Sequence, residues 1–153
     1  MGMGTESRFI GMLGAGVLLA LVFTGPVVGQ STTRVSVDSN GAEANGRSRE
    51  PSISSDGNYV VFGSEATNLV SGDSNGTIDV FVHDRQSGII ECMSVNSSGA
   101  QGNDLSVGPS ISVAGRYVVF HSVATNLVDG DTNVTWDVFV HDRLSGITER
   151  ASV

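Results

Sequence analysis

The sequence contains no lysine and only one cysteine, and each scarcity removes a class of chemistry. All eight basic residues are arginines, which excludes a lysine Schiff base and the lysine-dependent phosphate loops. The single cysteine, Cys92, excludes a disulfide within the chain. Sixteen acidic residues give a net charge of −8, whereas phosphate backbones are bound by clustered cations. The composition therefore predicts no nucleic-acid partner.

Aromatic residues and proline are also scarce, while glycine is abundant. The chain has 6% aromatic residues and three prolines, against 20 glycines in 153 residues. Glycine is unfavourable inside helices and favourable in tight turns. The composition thus indicates a small protein with many turns and short strands.

The first 29 residues have the pattern of a secretory signal peptide. Arg8 precedes an apolar run, Phe9–Phe23, and small residues lead up to Gly29. The alternative is an uncleaved membrane anchor, but a span needs about 20 apolar residues and this run is shorter. We predict cleavage after Gly29. The mature chain is then expected to be periplasmic or secreted, with no attachment to the membrane.

The rest of the chain is a repeat with an offset of 58 residues. Of the 45 positions in Pro51–Val95, 32 are identical to their counterparts in Pro109–Val153. The repeats cover residues 34–91 and 92–149, and residues 150–153 begin a third. Self-similarity of this kind indicates a modular fold in which each repeat is one structural unit.

Each repeat reads as four short strands, predicted in the first copy at Pro51–Ser54, Tyr59–Ser64, Asp79–Arg85 and Ile89–Val95. Turn signals separate them, and the third strand carries apolar residues on both faces. Such a strand belongs to a sheet that is covered on both sides. Stacked propeller blades meet this condition, so we predict an all-β fold of two four-stranded antiparallel blades. A β-sandwich is the alternative.

Two motifs resemble a known family. Residues Ser54–Phe62 resemble the "S-x-D-G-x-x-[VIL]-x-F" signature of the TolB-type, WD-like β-propeller repeat, and Asp79–Asp84 is similar to its "D-[ILV]-[YF]-V-x-D" strand. The second repeat departs by having Ala114 where the first has Asp56. The resemblance implies a bacterial periplasmic or secreted propeller that acts as an interaction scaffold, without shared catalytic residues.

The best candidate site is the loop before the third strand of each repeat, where oxygen-bearing side chains are spaced as in a calcium loop. The predicted ligands are Asp73, Asn75, Asp79, Asp131, Asn133 and Asp137. However, calcium takes about 6–8 oxygens, and the glycine of the first loop, Gly76, is Val134 in the second. The alternative is that these side chains bond their own backbone and shape the turn.

The sequence shows no convincing catalytic site. His83 and His141 recur once per repeat and are expected to lie a blade apart, while Asp84 and Asp142 are expected to hold hairpin turns. Cys92 aligns with arginines in the other copies, which is unexpected for a nucleophile. His121 is unique to the second repeat, and the sequence gives no account of it.

The sequence therefore predicts an exported, non-enzymatic propeller module that binds a protein or glycan. The alternative is the propeller part of a larger secreted hydrolase. Extending the reading frame downstream and looking for more blades or a catalytic domain would distinguish the two. Two blades cannot close a ring of about 4–8. Because Arg34–Asp38 matches a fourth strand without a blade, each copy in a ring of several copies would carry one surplus strand. This favours a fragment of a longer propeller over self-association through the open blade faces.

Overall fold

The computed structural model describes residues 30–152, and within them every regular element is a β-strand. The strands lie in the unit Thr33–Val153, whereas the predicted signal peptide lies outside the described residues. Across the described part of the chain, no helix could cross a membrane. The strands are β1 (Ser48–Ile53), β2 (Tyr59–Ser64), β3 (Asp79–Asp84), β4 (Ile90–Cys92), β5 (Ser106–Ile111), β6 (Tyr117–Ser122), β7 (Asp137–Asp142) and β8 (Ile147–Arg150).

The eight strands form two antiparallel sheets of four, one for each repeat. The strand order is β1-β2-β3-β4 in the first sheet and β5-β6-β7-β8 in the second. The registers coincide after the offset of 58, so that Phe62 pairs with Phe81 and Phe120 pairs with Phe139. The prediction of two four-stranded antiparallel sheets is confirmed. A four-stranded meander in each repeat is the construction of a propeller blade.

The first strand of each sheet begins earlier than predicted because it contains a bulge. β1 starts at Ser48 rather than Pro51, and its register shifts between Arg49 and Ser52. Glu50 has a φ of 53° at this point. Proline lacks an N–H donor, and a bulge is one of the few places where a strand accommodates it. The proline that suggested a strand start therefore lies inside the strand.

The predicted strand at Arg34–Asp38 is wrong. Val37 makes only an isolated bridge with Glu43, in a local hairpin where the Asp38 carboxylate accepts hydrogen bonds from the Asn40 and Ala42 N–H groups at 2.8 Å. Local turn chemistry thus replaces strand pairing. Residues 95–101 form the same hairpin, which shortens β4. Within residues 30–152 this segment is therefore not a fourth strand, but residues 34–36 remain the repeat equivalents of residues 150–152 and would compete with them for one place in an assembly of several copies.

The core consists of two clusters. The first joins the facing sheets through Val61, Val80, Val82, Met93, Val118, Phe120, Ala124, Leu127 and Phe139. The second lies on the opposite side of the first sheet and comprises Val60, Phe62, Ala66, Leu69, Phe81 and Ile90. We call the side of each sheet that carries Val61 or its equivalent the trailing face, and the other side the leading face. The trailing face of the first sheet packs on the leading face of the second.

The trailing face of the second sheet is open to solvent. Val61 is fully buried between the sheets, whereas its equivalent Val119 is 37% exposed. Val138 is likewise only partly buried, although the equivalent Val80 is completely buried. The repeat therefore places equivalent valines in two environments, one covered by a sheet and one not.

Candidate functional site

The predicted ligands of the first calcium loop are joined by a glutamine from the following repeat. The Oδ1 atom of Asp79 accepts a hydrogen bond from Ser94 Oγ at 2.6 Å, and Oδ2 accepts one from Gln101 Nε2 at 2.8 Å. The same nitrogen donates to Asp73 Oδ1 at 2.7 Å. A neutral amide thus occupies the space between the two carboxylates.

Asn75 of this loop shapes its own turn and ties the loop to the second repeat. Its Oδ1 atom accepts a hydrogen bond from the Thr77 N–H at 3.1 Å. Its Nδ2 group donates to the Gly102 carbonyl at 2.9 Å. These contacts are of the turn-shaping kind that was the alternative to calcium binding.

In the second loop the predicted ligands Asp131 and Asp137 are paired with an arginine side chain from β8. Asp137 accepts hydrogen bonds from Ser152 Oγ at 2.6 Å and from Asn133 Nδ2 at 2.9 Å. The Nη1 atom of Arg150 lies 3.2 Å from Asp131 Oδ1 and 3.7 Å from Asp137 Oδ2. An ion binding between these carboxylates would have to displace the guanidinium.

The two equivalent carboxyl groups have pKa values shifted in opposite directions. Burial, reinforced by the charge of Asp73, raises the pKa of Asp79 to about 6 against the opposing effect of its hydrogen bonds. The hydrogen bonds from Ser152 and Asn133 lower the pKa of Asp137. The equivalent carboxyl groups therefore differ in protonation around pH 6, where Asp79 is partly protonated and Asp137 is ionised.

Cys92 is the repeat equivalent of Arg150, and it explains part of this difference. Its thiol lies 3.4 Å from Ser94 Oγ, and burial raises its pKa to about 12. A thiol with this pKa stays protonated at neutral pH and is a poor nucleophile. The first loop therefore has a neutral group where the second has a cation.

No group of three or more His, Cys, Asp or Glu side chains within residues 30–152 is placed to hold a metal ion. In the second loop Val134 takes a φ of 48°, where the first loop has Gly76 at 69°. A β-branched residue in this left-handed region is strained. The second loop therefore keeps the same turn even though it lacks the glycine. Calcium binding at either loop stays a prediction.

The two repeated histidines lie in separate sheets, one on β3 and one on β7. His141 Nδ1 is 2.9 Å from Thr148 Oγ1, and this hydroxyl donates to the Val95 carbonyl at 2.5 Å. The equivalent of Thr148 is Ile90, and His83 Nδ1 is buried without a hydrogen-bond partner in the structure. Burial lowers the pKa of both histidines. Burial thus favours the neutral form of each imidazole, and each histidine lies in its own blade.

We expect Thr148→Val to destabilise the protein by roughly 1–3 kcal/mol, because it leaves His141 Nδ1 and the Val95 carbonyl without their buried partner. Thr148→Ser is the matched control, since it keeps the hydroxyl and removes only a methyl group. Urea unfolding followed by circular dichroism measures both variants. A Thr148→Val variant as stable as Thr148→Ser would contradict the hydrogen-bonding role.

The Asp-Arg pairs that follow these histidines hold hairpin turns. Asp84 Oδ1 accepts a hydrogen bond from the Gln86 N–H at 2.8 Å, and Asp142 Oδ1 accepts one from the Leu144 N–H at 3.0 Å. Asp142 is also paired with Arg116 at 2.7 Å, which lowers the pKa of that carboxyl group. The structure thus uses these carboxylates as turn caps.

A cluster that the sequence analysis missed joins the repeats at one rim, and we call its four residues the Tyr59 clamp. The guanidinium of Arg143 stacks on the Tyr59 ring, 4.5 Å from its centroid. It pairs with Glu91 at 2.6 Å and donates to the Gly115 carbonyl at 2.8 Å. Two members come from each repeat, so the clamp fixes how the two sheets stack.

Each repeat also forms a polar groove between its local hairpin and the loop after its second strand. The first groove has a volume of about 600 Å³ and the second about 300 Å³. We call them the hairpin grooves. Their equivalent lining residues are Asp38, Ser39, Asn40, Asn68 and Leu69 in the first and Asn96, Ser97, Ser98, Asn126 and Leu127 in the second. In the second groove Asn96 Nδ2 donates to the Asn126 carbonyl at 3.3 Å, a bond that the carboxylate Asp38 cannot make.

The described residues thus define an all-β protein of two four-stranded blades stacked face to face. No protein-family model and no curated protein match the chain. Similar solved structures include a putative TolB from Agrobacterium tumefaciens, at 21% identity and a TM-score of 0.45 over 69% of this chain and 33% of that one. TolB from Acinetobacter baumannii has 15% identity and a TM-score of 0.43, over 70% of this chain and 21% of that one.

The tricorn protease is a third similar structure, with 13% identity and a TM-score of 0.44. The alignment covers 70% of this chain and 9% of the protease. The chain therefore spans a third or less of the length of each of these proteins. The fold assignment rests on the strand order and the repeated registers of the chain itself.

Proposed function

We propose that the chain is an exported, non-enzymatic β-propeller module that binds a glycan through its two hairpin grooves. The observation that carries this proposal is the recurrence of the same polar groove once in each repeat. A groove that recurs at equivalent positions is suited to a ligand that itself repeats, and Ser39, Asn68 and Leu69 have identical counterparts in the second groove.

The chemistry of the groove favours a neutral, hydroxyl-rich ligand over an ionic one. Amide and hydroxyl side chains line both grooves, with one carboxylate in the first at Asp38 and one in the second at Asp129. Some of these groups also bond the backbone, as Asn68 does to the Glu43 carbonyl and Asn126 to the Gln101 carbonyl, and their remaining donor and acceptor sites can bond sugar hydroxyls. Two equivalent grooves on one rigid unit raise the strength of binding to a polymer, because the second contact becomes intramolecular.

The absence of enzymatic activity is part of the proposal, and the engagement of the polar side chains supports it. Asp79 and Asp137 are tied to neighbouring side chains, while Asp84 and Asp142 cap turns. His83 and His141 lie in different sheets. A nucleophile, a base and an orienting group within hydrogen-bonding reach are what hydrolysis requires, and these residues do not come together.

Glycan-array screening of the chain from Gln30 onward, followed by calorimetry on any glycan that binds, tests the proposal. Asn40→Arg and Ser98→Arg each block one groove from an exposed position, and Ser55→Arg is the control on an exposed turn outside both grooves. We expect each blocking variant to weaken binding about tenfold or more and the pair to abolish it. The control should bind as the unmodified chain does.

Two results would contradict the proposal. One is a chain that binds no glycan on the array. The other is binding that survives both blocking substitutions, because the ligand would then lie elsewhere. Hydrolysis of the bound glycan would contradict the non-enzymatic part alone.

A further inference from the structure

We infer that the trailing face of the second sheet is a docking surface for the leading side of a second copy of this chain. The interface between the two repeats shows what such a face accepts. Val61, Val80 and Val82 on the trailing face of the first sheet are buried against the second sheet. Val119 and Val138 are the equivalents of Val61 and Val80 on the second sheet, but no described residue covers them to that extent.

The rim of the open face carries half of a second clamp. Tyr117 and Glu149 are the equivalents of Tyr59 and Glu91, which hold Arg143 in the interface between the repeats. Tyr117 is 42% exposed, and its ring is approached by Arg116 of its own repeat at 4.8 Å. Within residues 30–152 Glu149 makes no ion pair, whereas Glu91 is paired. The open rim therefore offers an aromatic ring and a carboxylate to an arginine.

The leading rim of the chain carries the other half. Arg85 and Gly57 are the equivalents of Arg143 and Gly115, and Arg85 Nη1 donates to the Gly57 carbonyl at 2.6 Å. This matches the bond of 2.8 Å in the existing clamp, so the arginine is already held in the docking conformation. Arg85 is exposed and makes no ion pair within the described residues. Each rim lacks the group that the opposite rim of a second copy supplies.

The junction requires one local rearrangement. Residues 150–152 and 34–36 are repeat equivalents, so the end of one copy and the start of the next would occupy the same place. Residues 34–36 belong to no strand and Arg34 is exposed, but Val35 packs against the second core cluster and the Ser36 carbonyl accepts a hydrogen bond from the Ala44 N–H, so residues 150–152 would have to replace these contacts. We expect this segment of the incoming copy to move aside, while the hairpin that follows keeps its place beside the sheet.

The centre of the open face is bulkier than its counterpart between the repeats. His121 replaces Gly63, and Trp136, 50% exposed, replaces Ile78. In the first repeat a Cβ on Gly63 would lie 3.4 Å from Ile78 Cγ2, so the two replaced positions are neighbours. Docked copies are expected to stand further apart there, with the rim contacts setting their alignment.

A leading side that binds a trailing side is a heterologous contact, which gives rings when the rotation closes and filaments when it does not. Propeller rings close with about 4–8 blades. With the two blades that residues 30–152 form in each copy, a closed ring would contain about two to four copies of this segment.

Sedimentation velocity of the chain from Gln30 onward, over a range of concentrations, tests the inference. We expect reversible association of the unmodified chain. Arg85→Glu or Glu149→Arg alone places like charges at the junction and should raise the dissociation constant about tenfold or more. The double variant, which has the original net charge, and an equimolar mixture of the two single variants both restore opposite charges and should associate again.

Three outcomes would overturn the inference. The first is a chain that stays monomeric at all concentrations, since its open face then binds no second copy and is free for a different partner, such as a further blade. Association that is unaffected by Arg85→Glu uses another surface, including a symmetric contact between two trailing faces. Failure of both the double variant and the mixture to associate would show that the single substitutions act by damaging the fold, which melting curves of the same samples would record.

Discussion

Gly115→Ala is expected to destabilise the protein by roughly 2–5 kcal/mol, and the same substitution at the repeat-equivalent Gly57 by only about 1–2 kcal/mol. Both glycines have a φ of 73°, so alanine meets the same backbone strain at either position. The difference between the two variants therefore measures what surrounds each glycine.

The surroundings differ because only Gly115 lies in the interface between the repeats. A Cβ at this position would be 2.6 Å from Tyr59 Cε2 and 2.7 Å from Tyr59 Cγ, whereas at Gly57 the nearest atom would be Arg85 Nη1 at 3.7 Å. The Tyr59 ring cannot simply turn away, since Arg143 stacks on it. The substitution must push the sheets apart or displace the ring, and either change disturbs the clamp.

Urea unfolding of both variants measures the difference, and Tyr59→Ala supplies the control. Adding Tyr59→Ala to Gly115→Ala removes the obstructing ring, so the two substitutions together should cost less than the sum of their separate effects. Equal destabilisation by Gly57→Ala and Gly115→Ala would contradict the clamp. Additive effects with Tyr59→Ala would place the cost of the alanine in the backbone alone.

The sequence allowed much of the fold to be predicted because the signals were local and appeared twice. Tyr59–Ser64 has the predicted bounds as β2, since a turn lies immediately before it and β-branched and aromatic residues fill it. The same reasoning failed at Arg34–Asp38. Those residues align with the end of a strand, but Asp38 and Gly41 direct the chain into a tight hairpin. Alignment alone does not show which neighbour a segment pairs with.

The contacts of the two predicted calcium loops could not be predicted, because most of the side chains that bond their aspartates lie far from them in the sequence. Gln101 links Asp73 and Asp79 from the following repeat, and nothing near those aspartates in the sequence indicates a glutamine. In the second loop Arg150 takes a similar place. Two loops with the same motif therefore differ electrostatically, and only the tertiary contacts show the difference.

Because one trailing face is covered and the other is open, Val61→Asp and Val119→Asp are expected to differ strongly in how much they destabilise the protein. The two valines are repeat equivalents with the same strand partners, Val82 and Val140. We expect Val61→Asp to destabilise the protein by several kcal/mol, on the order of 3–5, because it buries an unpaired carboxylate between the sheets. Val119→Asp should cost less than about 1 kcal/mol, since water still reaches its side chain.

Thermal and urea unfolding at low protein concentration measure these stabilities, and sedimentation at high concentration adds an independent measure for Val119→Asp. The carboxylate lies on the proposed docking surface, so the variant should fold normally and yet associate more weakly than the unmodified chain. Val119→Ser is the control for loss of apolar area without a charge. Equal destabilisation by the two aspartates would mean that the second trailing face is already covered within a single chain, because burial is what makes an unpaired charge costly.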